Sequence, residues 1–174
     1  MGTRNDTFLP QGSLVDTEAL RKSYKPDQIK LLFVGESPPA SGKFFYYKGA
    51  MTTFTALAFE KVFDRVFPDT SSFLKFFQHI GCFLEDLCLE PVDKMTSKER
   101  TTMLTDATES FSRRLRDYSP EAIVIVLKRI EPYVKEALKK AKISGPIYTL
   151  PFPGFGHQKN YINKLYEILR THFK

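Results

Sequence analysis

Two loops carry the residues whose types and spacing could do chemistry. The first, GESPPASGKFFYY, covers residues 35–47; it follows an apolar run and combines an acid, two prolines and four consecutive aromatic residues. Prolines stiffen the backbone by fixing φ, and aromatic rings stack on flat ligands. One prediction is therefore a flat ligand held between the loop backbone and an aromatic face. The alternative is that the rings only pack this loop against the next helix.

The first loop lacks the features of a phosphate-binding P-loop. That motif, G-x-x-x-x-G-K-[ST], has four residues between its glycines, whereas six separate Gly35 from Gly42. Phe44 stands where the motif has its magnesium-binding hydroxyl. Pro38 and Pro39 lack the N–H groups that hold a phosphate. The sequence therefore argues against binding of a nucleoside triphosphate here.

The second loop, PFPGFGH, covers residues 151–157 and precedes a helical pattern. His157 stands at the predicted start of that helix, and Gln158 and Lys159 follow it. A helix N-terminus beside a lysine favours an anion such as a backbone phosphate. The alternative for His157 is a surface histidine close to the helix N-cap.

Regular elements must position both loops. Short, mostly continuous apolar runs predict strands at residues 30–34, 83–89, 122–127 and 147–150. Helical patterns cover residues 16–23, 50–66, 71–79, 97–118, 131–141 and 159–173. Thr96 and Glu99 have the spacing of a capping box at the start of the fourth helix. Pro132 fits the first turn of the fifth helix.

Alternation of strands with helices predicts an α/β fold, a three-layer α/β/α sandwich around a central four-stranded parallel sheet. In such sheets ligands bind outside the carboxyl ends of the strands. This rule selects residues 35–47, 89–94, 128–130 and 151–157 as the segments in which to look for a site.

Length and composition suggest one domain. The chain has 174 residues, 42% of them hydrophobic, with residues 1–12 as an expected irregular N-terminal arm. No apolar run reaches the ~20 residues that a membrane-spanning helix needs. The N-terminus has no hydrophobic signal core, so we expect an intracellular protein without a membrane partner. The net charge of +6 suits a polyanionic partner, and equally a solvated basic surface.

The two cysteines predict packing rather than metal chemistry. Cys82 and Cys88 lie in an apolar segment at an even spacing, which places both on one face of a strand. We expect them to be small core residues. The chain has no C-x-x-C motif, and two cysteines alone do not ligate an iron–sulfur cluster. We therefore expect no metal and no cofactor.

Four segments, in order along the chain, resemble the motifs of the uracil-DNA glycosylase superfamily. FVGESPPASGKFF resembles its first motif, a strand followed by G-E-x-P-G or G-Q-D-P-Y. FLEDLCLEPVD resembles the central strand, and AIVIVLKRIEPYV the third strand with its helix. YTLPFPGFGH resembles the final motif, H-P-S-P or H-P-A. The resemblance covers most of the chain.

This resemblance implies a fold and an activity. Members of the superfamily have a four-stranded parallel sheet between helices. They flip a damaged base out of DNA and hydrolyse its N-glycosidic bond. The expected partner is accordingly DNA, single- or double-stranded, bound by a monomer.

The resemblance also implies roles for individual residues. Glu36 and Ser37 fall where the family keeps a water-positioning or acidic residue, and His157 lies seven residues after the position of the family's catalytic histidine, from which it would have to swing in. The predicted catalytic residues are therefore Glu36, Ser37 and His157. For Glu36 the alternative is a structural role in which the carboxylate accepts hydrogen bonds from loop N–H groups.

The predicted base-binding and DNA-binding residues follow in the same way. The altered base would lie against Gly35 and Pro38, stack on Phe45 (or on its neighbour Phe44), and have its edge read by Asp86. Phe152 or Phe155 would enter the minor groove as a wedge. The complete predicted DNA-binding set is Lys43, Lys48, Lys128, Arg129, Phe152, Gly154, Phe155 and Lys159.

Three positions depart from the family pattern. Asp86 stands where the base-reading asparagine is expected, and an ionised carboxylate offers only acceptors. Leu150 stands where the final motif has its catalytic histidine, and Ser37 replaces the aspartate of the most active branch. The first alternative is thus a member that binds nucleic acid, a free base or a nucleotide without hydrolysis. The second is an unrelated α/β enzyme that acts on a small anion.

Overall fold

The computed structural model describes residues 16–174, and the expected N-terminal arm at residues 1–12 lies outside that range. Four parallel strands form one sheet in the order β2-β1-β3-β4. The strands are β1 (Leu31–Gly35), β2 (Cys82–Asp86), β3 (Ala122–Val126) and β4 (Ile147–Leu150). The predicted parallel four-stranded sheet is confirmed.

Helices cover the sheet and complete the three-layer α/β fold. They are α1 (Thr17–Ser23), α2 (Ala50–Phe63), α3 (Thr70–His79), α4 (Ser97–Tyr118), α5 (Glu131–Ala141) and α6 (Gln158–Phe173), with a short 3-10 helix at Lys128–Ile130. Helix α2 packs on α6, and α4 packs on α5. None of the helices within residues 16–174 is both long and apolar enough to cross a bilayer.

The strands are buried as their apolar runs predict. Every residue of β2 and β3 is buried, whereas the edge strand β4 is partly exposed. Cys82 and Cys88 are both buried with free thiols, which confirms the core position expected for them. Strand β2 ends at Asp86 and not at Leu89, so Cys88 lies beyond the strand and the reasoning about one strand face does not apply to it.

Local signals set the helix ends. The capping box at the start of α4 is present: Thr96 Oγ1 accepts from the Glu99 N–H, and the Glu99 carboxylate accepts from the Thr96 N–H. Pro132 lies in the first turn of α5. Helix α2 ends three residues earlier than predicted, because Asp64 adopts the left-handed conformation at φ 49° and terminates it.

Candidate functional site

The crevice between the loops after β1 and β3 is the natural ligand position of this sheet. Strand β1 lies between β2 and β3, and the chain continues from β1 to β2 on one side and from β3 to β4 on the other. The loops that leave β1 and β3 therefore diverge at this point, where open α/β sheets bind their ligands. Glu36 follows β1 directly, and Arg129 belongs to the 3-10 helix after β3.

Glu36 and Arg129 meet across this crevice. Nε of Arg129 donates to Oε2 of Glu36 at 2.8 Å, and Nη2 donates to Oε1 at 2.7 Å. A two-pronged pair of this kind fixes the orientation of the carboxylate. The Glu36 side chain is 10% exposed and the Arg129 side chain 51% exposed. The carboxylate is thus held at the floor of the crevice, and the arginine is accessible from solvent.

The backbone next to Arg129 is in an unusual conformation. Leu127, the first residue after β3, has φ 128°, a region that favours glycine. Its N–H donates to the Leu150 carbonyl at 3.0 Å, and its carbonyl accepts from the Ile130 N–H at 3.2 Å. Such a conformation costs roughly 1–3 kcal/mol and clusters at functional sites. Here it turns the chain directly from the strand into the 3-10 helix that carries Arg129.

The loop after β1 is tied to the loop after β2. The Cys88 N–H donates to the Glu36 carbonyl at 2.9 Å, and the Val92 N–H donates to Ser37 Oγ at 3.2 Å. The Ala40 N–H donates to both carboxylate oxygens of Asp93 at 3.2 and 3.3 Å. Ser37 therefore has a structural contact in this loop, and its predicted catalytic role stays a prediction. Pro38 is buried beneath the same loop.

The aromatic run faces the core. Phe44, Phe45 and Tyr46 are all buried, and Tyr47 is half-buried. The ring centroid of Phe45 lies 5.3 Å from that of Phe77 on α3 and 5.1 Å from that of Tyr46. The Phe45 ring therefore packs in the core against α3, whereas the next helix along the chain is α2. Stacking of a base on Phe45 or on Phe44 stays a prediction.

Tyr46 closes the outer edge of the sheet at β2. Its hydroxyl accepts from the Leu84 N–H at 2.7 Å and donates to the Leu84 carbonyl at 3.0 Å. Arg114 of α4 extends this edge by donating to the carbonyls of Asp86 and Leu87, both at 2.9 Å. Edge strands expose backbone groups that can pair with other chains. These side chains satisfy those groups and fix the end of β2.

Asp86 lies at that end in a buried cluster of charges. Its Oδ2 accepts from Nη2 of Arg21 on α1 at 2.6 Å. Its Oδ1 lies so close to Gly35 that a Cβ added there would come within 2.5 Å of it. Burial raises the pKa of the Asp86 carboxyl to about 7, although the guanidinium of Arg21 acts to lower it. Burial therefore favours the neutral form of Asp86 more than the neutral form of an exposed aspartate.

Glu85 connects the rest of this cluster. Its Oε1 lies 3.1 Å from Nη1 of both Arg21 and Arg114, and its Oε2 accepts from the Tyr118 hydroxyl at 2.5 Å. Arg21 also pairs with Glu18 one turn earlier on α1. Sequence reasoning missed Arg21 and Arg114. Neither belongs to a motif, and their partners on β2 are distant in sequence.

The loop after β4 projects aromatic side chains into solvent. Phe155 is fully exposed, in the left-handed conformation at φ 51°, and Phe152 is 44% exposed. The loop is compact, because the Gly154 N–H donates to the Phe152 carbonyl at 2.8 Å and the His157 N–H donates to the Gly154 carbonyl at 3.1 Å. A Cβ at Gly154 would come within 3.2 Å of the Phe152 ring.

The two positions relevant to a catalytic histidine differ in environment. Leu150 is buried at the end of β4. His157 is exposed at the N-cap of α6 and makes no side-chain capping hydrogen bond. Within residues 16–174, no hydrogen bond or ion pair joins the side chain of His157 to that of Glu36. Its catalytic role stays a prediction.

The predicted phosphate-binding lysines are exposed around the carboxyl ends of the strands. Lys43 and Lys48 belong to the loop after β1, Lys128 to the 3-10 helix after β3, and Lys159 to the first turn of α6. None of the four forms an ion pair with a carboxylate in the part of the chain that the structure describes. Within residues 16–174, no group of three or more histidine, cysteine or acidic side chains is arranged to hold a metal ion.

A scan against protein-family models finds no match for this chain, and a search of curated proteins finds no similar one. The resemblance to the uracil-DNA glycosylase superfamily therefore depends on the motifs quoted above. It enters below as a proposal.

Proposed function

We propose that this protein is a DNA glycosylase-like hydrolase that acts in DNA base excision repair. Its substrate would be a deaminated or otherwise altered base flipped out of DNA. The observation that carries the proposal is the Glu36 carboxylate, fixed by Arg129 at the floor of the crevice between β1 and β3. The first motif of the superfamily has a residue of this kind directly after the first strand.

Glu36 has the chemistry that glycosidic hydrolysis needs. As the bond between the sugar and the base breaks, its electron pair leaves with the base and the sugar becomes oxocarbenium-like. A carboxylate beside the sugar stabilises this positive charge and orients a water molecule toward the sugar carbon. Addition of the water oxygen releases one proton to the carboxylate and then to solvent, and the departing base gains a proton from solvent.

Asp86 is the proposed reader of the base edge. Because burial raises the pKa of its carboxyl to about 7, the neutral form of Asp86 is more accessible than that of an exposed aspartate. A neutral carboxyl has one donor and one acceptor, which is the pair that an asparagine amide offers to a base edge. This would reduce the difference between Asp86 and the asparagine that the superfamily has there.

The exposed loop after β4 supports a DNA partner. A fully exposed phenylalanine on a compact turn is suited to insertion between base steps, and insertion would offset part of the cost of flipping. The lysines around the same edge of the sheet, which form no ion pair within residues 16–174, are suited to contact phosphates. Phe155 is the proposed wedge.

A second candidate function is binding of DNA without hydrolysis. Three observations favour it: Arg129 occupies both oxygens of Glu36, Leu150 is buried where the resemblance places the catalytic histidine, and Phe45 is packed among core rings. This candidate predicts DNA affinity that is lost with salt, and no chemical change in the DNA.

Cleavage assays with defined substrates separate these functions. The purified protein would be incubated with labelled oligonucleotides that contain uracil, hypoxanthine, xanthine or no altered base, each single- and double-stranded. Alkali then breaks the strand wherever an abasic site has formed. Strand breaks at one altered base support the glycosylase. Binding without breaks at any base supports the second candidate, and absence of binding at about 150 mM salt contradicts both.

A further inference from the structure

A cavity of about 670 Å³ lies against the loop that carries Glu36, with a lining that neither proposed function uses. It opens between the loops after β1 and β2 and the first turns of α4. Its apolar wall includes Pro91, Met95 and Met103, and its polar wall includes Asp93, Lys94 and Lys98. This volume is within the ~300–1,000 Å³ typical of small-molecule sites, and it is large enough for one nucleotide.

The polar wall offers two lysines to an anion. Its two carboxylates, Asp93 and Glu99, keep their charge but are each held by a backbone N–H, of Ala40 and of Thr96. Lys94 and Lys98 form no ion pair with any carboxylate in residues 16–174. Both ammonium groups are therefore available to a phosphate.

The apolar wall favours a flat ring. Methionine side chains are unbranched and polarizable, so they adapt to the face of an aromatic ligand. Met95 and Met103 are both only partly buried, and Pro91 is exposed. An apolar wall opposite two free ammonium groups matches a nucleotide, whose base is flat and whose phosphate is anionic.

The cavity adjoins the proposed active site through short contacts. Cys88 donates its N–H to the Glu36 carbonyl at 2.9 Å, and its thiol lies 3.7 Å from the Met103 carbonyl. Val92, between the lining residues Pro91 and Asp93, donates to Ser37 at 3.2 Å. The loop that carries Glu36 thus lines the cavity through Ala40 and is joined by these contacts to the segment that carries Pro91 and Asp93.

We propose that this cavity binds one further nucleotide of the DNA strand whose altered nucleotide lies at Glu36, with Lys94 and Lys98 on its phosphate and the methionines against its base. This subsite rests on the proposed function, because it assigns the ligand as a part of the same DNA strand. It would fix the strand on one side of the altered base.

Salt-dependent binding tests the subsite. The affinity for a labelled single-stranded oligonucleotide would be measured by fluorescence anisotropy at several salt concentrations. The double variant Lys94→Ala/Lys98→Ala is compared with Lys61→Ala/Lys139→Ala, which removes the same charge from exposed positions near the C-terminal ends of α2 and α5. Because both lysines contact one phosphate, we expect the slope of log K against log salt to fall by about 0.7 in the first variant and to stay unchanged in the second.

Truncated oligonucleotides locate the contact. Shortening the strand from one end should weaken binding to the wild-type protein, and the same shortening should not weaken binding to Lys94→Ala/Lys98→Ala further. Equal slopes for the two double variants would overturn the subsite. It would also be overturned if a mononucleotide bound at these lysines but did not displace the labelled oligonucleotide. Failure of the proposed hydrolysis is distinguishable from failure of the subsite. The first would appear as an absence of abasic sites, and the second only as a change in these binding measurements.

Discussion

Glu36 and Arg129 extend from two neighbouring strands and form a two-pronged ion pair, with N–O distances of 2.8 and 2.7 Å. The pair spans the position where the order of the sheet reverses. Because the Arg129 side chain is 51% exposed and the Glu36 side chain only 10%, the pair presents a fixed carboxylate and an accessible guanidinium. In the proposed hydrolase the carboxylate faces the sugar, and the arginine orients it.

Replacing Arg129 should separate positioning from charge. Arg129→Lys keeps the positive charge but loses the two-pronged geometry, so we expect near-normal DNA affinity with turnover lowered by about 10-fold or more. Arg129→Ala loses the charge as well, so it should lower both the DNA affinity and the turnover. Kinetics of abasic-site formation give kcat and KM for each variant.

Arg129→Lys should hardly affect folding because it keeps a positive charge beside Glu36, whereas Arg129→Ala leaves a carboxylate that is only 10% exposed without its partner and should cost about 1–3 kcal/mol. Urea unfolding of both variants checks this expectation. Equal kcat for Arg129→Lys and the wild-type protein would show that Arg129 does not position Glu36.

Phe155 should matter for DNA and not for folding. Its side chain is fully exposed, so Phe155→Ala removes no core contact, and we expect the free energy of unfolding to change by less than about 0.5 kcal/mol. Loss of the wedge should reduce the rate on double-stranded DNA more than on single-stranded DNA, because only the duplex must be opened. Val66→Ala, at an exposed apolar residue after α2, is the matched control and should leave both rates unchanged. An equal loss on both substrates would contradict the wedge.

Asp86 should make stability depend on pH. Burial raises the pKa of its carboxyl to about 7, above the value in the unfolded chain, so the folded protein binds the proton more tightly between about pH 4 and pH 7. The contribution of Asp86 to stability is therefore fully present below about pH 4 and is lost as the pH rises to about 7. One proton can change the free energy of unfolding by at most about 1.4 kcal/mol per pH unit.

Asp86→Asn tests that dependence. Asparagine has the size of a neutral aspartic acid and fits beside Gly35, so the variant should lose less stability than the wild-type protein between about pH 5 and about pH 8. Urea unfolding at both pH values measures the difference. Asp106→Asn, at an exposed position on α4, should behave like the wild-type protein. Parallel pH profiles for Asp86→Asn and the wild-type protein would refute a raised pKa.

Tyr46→Phe should destabilise the edge of the sheet. The substitution removes the hydroxyl that bonds both the N–H and the carbonyl of Leu84, and it leaves two buried backbone groups unsatisfied. We expect a loss of about 2–4 kcal/mol in the free energy of unfolding and faster hydrogen exchange at the Leu84 amide. The control is Tyr47→Phe, at the next residue in the sequence, whose ring is half-buried. It should lower the free energy of unfolding by less than about 0.5 kcal/mol. Equal costs for the two variants would show that this edge is held by other contacts.

The sequence predicted the fold well because its signals are local. Continuous apolar runs mark β1 and β3 at nearly their observed bounds, and the capping box at Thr96 marks the start of α4. The prediction for the end of α2 was wrong. The helix ends at a left-handed residue, and an aspartate such as Asp64 indicates that conformation much less clearly than a glycine does.

The candidate site was predictable only in part. Topology placed the segments that carry Glu36 and Arg129 at one edge of the sheet, but a contact between residues so distant in sequence has no local signature. The burial of Phe45 depends on its partners on α3, and the pKa of Asp86 is raised by its burial at the end of β2, against the opposing effect of Arg21. The spacing of residues along one sequence indicates local structure, and it does not reveal which distant residues will come into contact.

The most direct test of the central claim is the single-turnover rate of abasic-site formation by Glu36→Gln, measured with protein in excess over the altered oligonucleotide. Glu90→Gln, at an exposed acid in the loop after β2, is the matched control. The proposed role of Glu36 predicts a rate at least roughly 100-fold below that of the wild-type protein and the control, with DNA affinity retained. An equal rate for Glu36→Gln and the control, or no abasic site with any altered base in the wild-type protein, would contradict it.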